Sequence, residues 1–379
     1  MYQNQHQFHI PVMGTGHSID SPVRVAHLGI NSVISVVDDL LCEKIREYYC
    51  KKFNLPYKNI PRSENDGRSK RVEAYLNTVA EIVSLKFDEI KSMDLFNETE
   101  KDRYFNLLPE SSRLKQSYRL ISSLSLSDRE LYAEHVSELT KNMSLGSIDV
   151  NIMAKVDALS MDKDDKPMSN EFSDACAALR GFAQSKLSSS LVLSAGFNPR
   201  LYGYLADFND FYRDKSGQIK KTIILKVSDF RSALIQGKFL AKKGLEVAEF
   251  RIESGLNCGG HAFASDGHLL PVLLKEFREK KDQLAETFQP MVKSYYKSTG
   301  LEYPEISVEE LSPKITVQGG IGTNGEMKRL LNDFQMDGTG WGSPFLLVPE
   351  ATCVDSFTSE LLAHAGENDL YLSNVSPLG

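Results

Sequence analysis

Eight short apolar runs, several rich in β-branched residues, recur along this chain, with stretches of helical periodicity between them. They fall at Phe8–Met13, Ile30–Val37, Ile148–Ala154, Ser190–Ser194, Thr222–Val227, Glu246–Ile252, Ile315–Val317 and about Gly338–Trp341. Alternating strand and helix with buried strands predicts a parallel sheet. Eight such units is the number that closes a (β/α)8 TIM barrel, with a doubly wound open sheet as the alternative. Helical spacing appears from about Ser21, where Ser21 itself could cap ahead of Pro22, and from Asp38 and Asp39 through Phe53. It returns at 170–186, 198–212, 229–243, 267–298 and 324–334, and a terminal amphipathic helix is expected from Thr352 to Ala365.

One region breaks the rhythm. Residues 55–145 are charged, helix-patterned and dotted with breakers, as in NIPRSENDGRSKR, with amphipathic helices expected at Val72–Met93 and Asp128–Met143. This reads as a helical insertion within a single barrel domain of 1–379, lying over one face of the body or serving a partner. A net charge of -7 argues against a nucleic-acid surface. Five scattered cysteines without a CxxC pair suit reduced thiols in a cytoplasmic protein, and no metal site is expected. MYQNQHQFHI lacks the basic start and apolar run of a signal peptide, and no window reaches the ~20 apolar residues that span a bilayer. The expected partner is a small-molecule or acyl substrate, with neither nucleic acid nor membrane; self-association into a homo-oligomer is left open.

In a barrel, the loops after the strands form the working face. The sixth run continues into ESGLNCGGHAF, a glycine-hinged loop presenting His261. Within that run Glu249, Arg251 and Glu253 share one face, which is costly unless they line a wet, working cavity. Gln318-Gly319-Gly320-Ile321-Gly322-Thr323 follows the seventh run and leads into a helix; Gly340-Trp341-Gly342-Ser343-Pro344-Phe345 follows the eighth. Either could be an ordinary tight turn. As a pair in these positions they favour a bound phosphate, since barrels often hold one between these loops. Lys226 and Asn151 are polar residues within apolar runs, placed to meet a ligand at the mouth, although a lysine at a strand end also snorkels. His17 in the first loop is a further contact candidate. Asn198 reads as a helix cap, and Asp149 and Asp157 as solvated residues bracketing the third run.

These stretches carry a resemblance. KTIILKVSDFRSAL, ESGLNCGGHAF, VQGGIGT and GWGSPFLLVPEA, with weaker matches in IPVMGTGHSIDSPVRVAHLGINSVIS and IDVNIMAKV, resemble the nitronate monooxygenase family (2-nitropropane dioxygenase-like). These are FMN-dependent TIM barrels related to flavin-dependent enoyl-thioester reductases. The resemblance covers about half of the chain and omits the helical insertion. It implies an FMN-dependent oxidoreductase with His261 as the active-site histidine; Lys226 and Glu253, charged residues at the ends of their runs, are the further catalytic candidates, although Glu253 is a charge that the family's sixth strand normally lacks. It further implies that Gly319, Gly320, Gly342 and Ser343 hold the FMN phosphate. Lys226 and Asn151 would contact the flavin ring, while Gly14, Gly259 and Gly260 let their loops pass close to it. The alternatives are an enoyl-thioester reductase of a biosynthetic pathway and a non-catalytic barrel serving as a binding component.

Overall fold

The computed structural model describes residues 6–123, 129–153, 157–161, 164–194, 196–253, 269–306 and 312–369. Its strands are β1 (Phe8–Ile10), β2 (Asn31–Ser35), β3 (Ile148–Ile152), β4 (Ser189–Leu193), β5 (Lys221–Val227), β6 (Val247–Glu253), β7 (Lys314–Gln318) and β8 (Gly338–Gly340). Each pairs in parallel with the next, and β8 returns to β1, where Phe8 meets Thr339 and His9 meets Gly340. The barrel is closed, as the count of runs predicted, and the open sheet is excluded.

The wall is held from outside. Val150, Leu191, Leu193, Ile223, Leu225, Val227, Phe250, Ile252, Ile315 and Val317 are all buried in one cluster with apolar residues of the surrounding helices. Burying one such side chain contributes about 1.5–3 kcal/mol. The helix Asp39–Lys52 starts where expected, with the Asp38 carboxylate accepting from Leu41 N at 2.9 Å. Helix Ser21–Val25 also starts in place, but Ser21 does not cap it: its hydroxyl donates to the Ala351 carbonyl at 2.7 Å instead. The Gly14–Gly16 loop is a helical turn, Gly14–His17.

Residues 55–145 fall into two physical parts. Helix Gly67–Ser92 carries Val72, Leu76, Val79 and Val83 into the main core, packed with residues of the helices Asp39–Lys52 and Asp174–Gln184. It belongs to the outer helical ring. Helices Glu100–Leu107, Arg113–Ser122 and Arg129–Lys141 instead surround a separate core of Tyr104, Phe105, Leu114, Tyr118, Ile121 and Leu139. Asp102 stitches that part together, accepting from the amides of Phe96, Asn97 and Thr99 and from the Tyr118 hydroxyl at 2.7–3.1 Å.

Lys221 is fully buried on the outer side of β5. Its ammonium donates to the carbonyls of Phe182, Ser185 and Leu187 at 2.8–3.0 Å, tying β5 to the end of helix Asp174–Gln184 and the turn after it.

Candidate functional site at the barrel mouth

Because one side of each strand is committed to the helices, the alternate residues turn into the barrel. Apart from a small patch of Val33, Val192 and Ile224 with Val12, this inner set is strongly polar. Glu253 accepts from Lys226 Nζ at 3.1 Å and from Gln318 Nε2 at 2.7 Å. Gln318 Oε1 lies 3.1 Å from His9 Nε2. A carbonyl oxygen only accepts, so that ring nitrogen carries the proton. One layer away, Glu249 accepts from Arg251 Nε at 2.8 Å and from the Thr316 hydroxyl. Thr316 and Arg251 are register partners on adjoining strands.

The charged face of β6 was expected to line a wet cavity. It is instead closed off by its own pairing: Arg251 and Glu253 are 2% and 5% exposed. The desolvation cost is offset by opposite charges and amide donors reaching across from β5 and β7. The electrostatics follow. Burial alone would raise the Glu249 carboxyl, but Arg251 and Thr316 hold it below the usual range. Burial, reinforced by the positive charge of Arg251, lowers His9 to about 3, so the ring is neutral. Asp149, expected to be solvated, is buried on the inner side of β3, and burial pushes its carboxyl up to about 6 against the pull of Arg251.

The two glycine loops lie side by side, because β7 and β8 are parallel neighbours with Gln318 opposite Gly340. Gly319 N donates to Gly340 O at 3.2 Å, and Gly319 and Gly320 take φ of 92° and 72°, a region that favours glycine. At Gly340 a Cβ would come within 2.4 Å of Gln318 Cβ and 2.6 Å of His9 Nε2. No side chain fits there without displacing the inner network. The helix N-terminus beyond these glycines was expected to offer its amides to a phosphate. Two of those amides are already engaged: Gly322 N and Thr323 N donate to the Glu326 carboxylate, both at 2.9 Å. The motif responsible, Thr323-Asn-Gly-Glu326, is a capping box legible in the sequence. The amides of Gly320 and Ile321 make no hydrogen bond among the described residues.

The other candidates meet at the same end. Asn151, 4% exposed, is the penultimate residue of β3, and Gly14, with φ 62°, begins the turn after β1. Gly342 and Ser343 open the short helical turn after β8. His17 is exposed there, its Nδ1 3.4 Å from the Cys353 carbonyl. His261, Gly259 and Gly260 lie outside the described residues. Asp157, another residue expected to be solvated, joins two mouth loops. It accepts from Ala175 N and from Asn198 Nδ2, each at 3.1 Å, with Arg200 at 3.6 Å. Arg68 similarly bridges Asp39 and Asp174 at 3.2 and 3.0 Å beside the ends of β2 and β3. Neither bridge is visible in sequence spacing, because each joins loops more than 15 residues apart.

Among the described residues, no helix is long and apolar enough to cross a membrane, and no group of three or more His, Cys, Asp or Glu is placed to hold a metal ion. No protein-family profile and no curated protein matches the chain. Among solved structures, the enoyl reductase domain of MlnA from the macrolactin biosynthesis cluster of Bacillus amyloliquefaciens aligns at 17% identity, with a TM-score of 0.35. The alignment covers 64% of this chain and 51% of that one, so the chain spans about half the length of that structure. A likeness this partial carries no argument; the barrel stands on its strand pairing.

Proposed function

We propose that the protein is an FMN-dependent oxidoreductase working at the C-terminal mouth of its barrel. One observation carries the reading. The paired glycine loops, Gly319–Gly320 and Gly342–Ser343, follow neighbouring strands at the end of the barrel where Lys226 and Glu253 meet and where β3 carries Asn151. Their donors fit a phosphate in part, through the amides of Gly320 and Ile321, while Glu326 competes for those of Gly322 and Thr323. FMN would supply the electron transfer that no side chain can perform.

The chain's own residues then divide the remaining work. Lys226, held in place by Glu253, sets a positive charge at the mouth, suited to an electron-rich ring or an anionic substrate group. Gln318 fixes Glu253 in turn, and neutral His9 fixes Gln318. Asn151 offers an amide edge for hydrogen bonding, and His261 accepts a proton or hydrogen-bonds the substrate. The substrate is a small or acyl-chain molecule, and the finer assignment is either nitronate monooxygenase-like or enoyl-thioester reductase-like.

The visible spectrum of the purified protein, followed by FMN titration, tests the reading. A colourless protein that takes up no FMN would sink it and leave a barrel that binds without turnover. That second reading draws on the self-paired interior and on Glu326. If FMN binds, anaerobic reduction by NAD(P)H supports the reductase assignment, and reduction only by a nitronate supports the oxygenase. The His261→Ala variant is expected to keep FMN and lose turnover.

A further inference from the structure

A cleft of about 370 Å3 lies on the flank of the barrel, away from the mouth. Arg68, at the start of helix Gly67–Ser92, donates to the Val37 carbonyl beyond the C-terminal end of β2. The last turns of that helix therefore sit toward the end where the strands begin, beside Ala26–Leu28, which lead into β2. The cleft has an apolar floor of Leu28, Ile90 and Met93.

Its charges sort into those already used and those left over. Arg24 is paired with Asp20 at 2.9 Å and also donates to the Pro349 carbonyl. Arg103 is paired with Glu100 at 3.2 Å. Lys86 forms no ion pair among the described residues; one of its three donors goes to the Val23 carbonyl at 2.8 Å. Burial lowers its ammonium to about 8, against the pull of Glu100 and Glu89, which also line the cleft. Glu89 on helix Gly67–Ser92 and Glu350 in the segment after β8 also line the cleft, and likewise form no ion pair among the described residues. His27 also lines the cleft; it is 4% exposed, and its Nδ1 has no hydrogen-bond partner among the described residues. Lys86, Glu89 or Ile90, and Met93 follow the i, i+3/i+4, i+7 spacing of one helical stripe, so cation, anion and apolar surface are neighbours.

We infer that this cleft binds a small zwitterion with an apolar body, the simplest being a free apolar α-amino acid. Its carboxylate meets Lys86, its ammonium sits between Glu89 and Glu350, and its side chain covers Leu28, Ile90 and Met93. A plain carboxylate would face the two glutamates uncompensated, and a plain amine would face Lys86. The inference is independent of the function proposed for the mouth.

Calorimetric titration of the full chain with three probes tests it: L-leucine, 4-methylpentanoate, which lacks the amine, and 3-methylbutylamine, which lacks the carboxylate. Leucine is expected to bind saturably and at least about tenfold tighter than either analogue, in keeping with loss of a charged hydrogen bond. Lys86→Met should remove the advantage of leucine over the amine. Because that change also strips the bond to Val23, Met93→Trp provides a second variant. It fills the floor of the cleft and should abolish binding of all three probes. Absence of saturable leucine binding, equal binding of the three probes, or unchanged binding in Met93→Trp would overturn the inference.

Discussion

The two faces of β6 are opposites. Phe250 and Ile252 on the outer face join the continuous apolar layer under the helices, while Glu249, Arg251 and Glu253 on the inner face are held in ion pairs and hydrogen bonds. Apolar burial is non-directional and tolerates repacking, so the outer face supplies stability. A buried ion pair is worth little net stability, yet it fixes where each charged atom sits. The inner face therefore specifies the positions of Lys226 and Glu253 at the mouth, at a cost that the outer layer covers.

That comparison can be broken in several ways. Phe250→Ala should have the largest effect, roughly 4 kcal/mol lost in urea unfolding, because Phe250 is fully buried against Phe288. A loss below 1 kcal/mol would remove the outer layer from its role. Arg251→Met should cost roughly 3 kcal/mol by stranding Glu249, and adding Glu249→Leu should recover most of it. If the double variant is as unstable as the single, the pair contributes more than mutual neutralisation.

Acid pH separates the inner face further. Burial lowers His6, His9 and His27 from 6.5 to about 4, 3 and 3. The unfolded chain binds those protons first, so stability should fall as pH drops from 6.5 toward 4. Asp149 works in the opposite sense. Its folded carboxyl at about 6 holds a proton that the unfolded chain, at 3.8, releases, so its contribution rises as pH falls between those values. Asp149→Asn should therefore gain up to about 3 kcal/mol at pH 7 and steepen the acid decline. Thermal unfolding across pH 4–8 would reveal a flat or inverted profile if this is wrong. The smallest effect concerns the mouth: Glu326→Gln should raise FMN affinity roughly two- to fivefold by freeing the helix N-terminal amides. Weaker binding in that variant would mean that Glu326 shapes the loop rather than competing for it.

Much of the barrel was legible because its signals are local. β-branched runs such as INSVISVV and the caps at Asp38 and Asn198 each act within a few residues; INSVISVV holds a strand and both caps start helices, though the helix expected over 198–212 ends at Tyr204 and the Gly14–Gly16 loop is a helical turn. The capping box at Thr323 was equally local, yet the phosphate reading of the same glycines passed over it. Asp149, Asp157 and Lys221 were opaque for the opposite reason: each has partners 18 to 41 residues away, on neighbouring strands or loops.

Residue order by itself determined that this chain alternates strand and helix eight times, and with that the closed parallel barrel and the end at which its glycine loops gather. Hydrophobic periodicity is a property of neighbours along the chain, so it survives without any knowledge of the fold. Only the tertiary structure decided that the charges of β6 are neutralised within β6 and by Lys226 of β5, that helix Gly67–Ser92 packs on the barrel while its Phe87 and Ile90 join the core of the three helices after it, and that Lys86 lines a flank cleft with no ion pair among the described residues. Each of these depends on which distant side chains share a dehydrated space, and closing the sheet into a barrel is what creates that sharing.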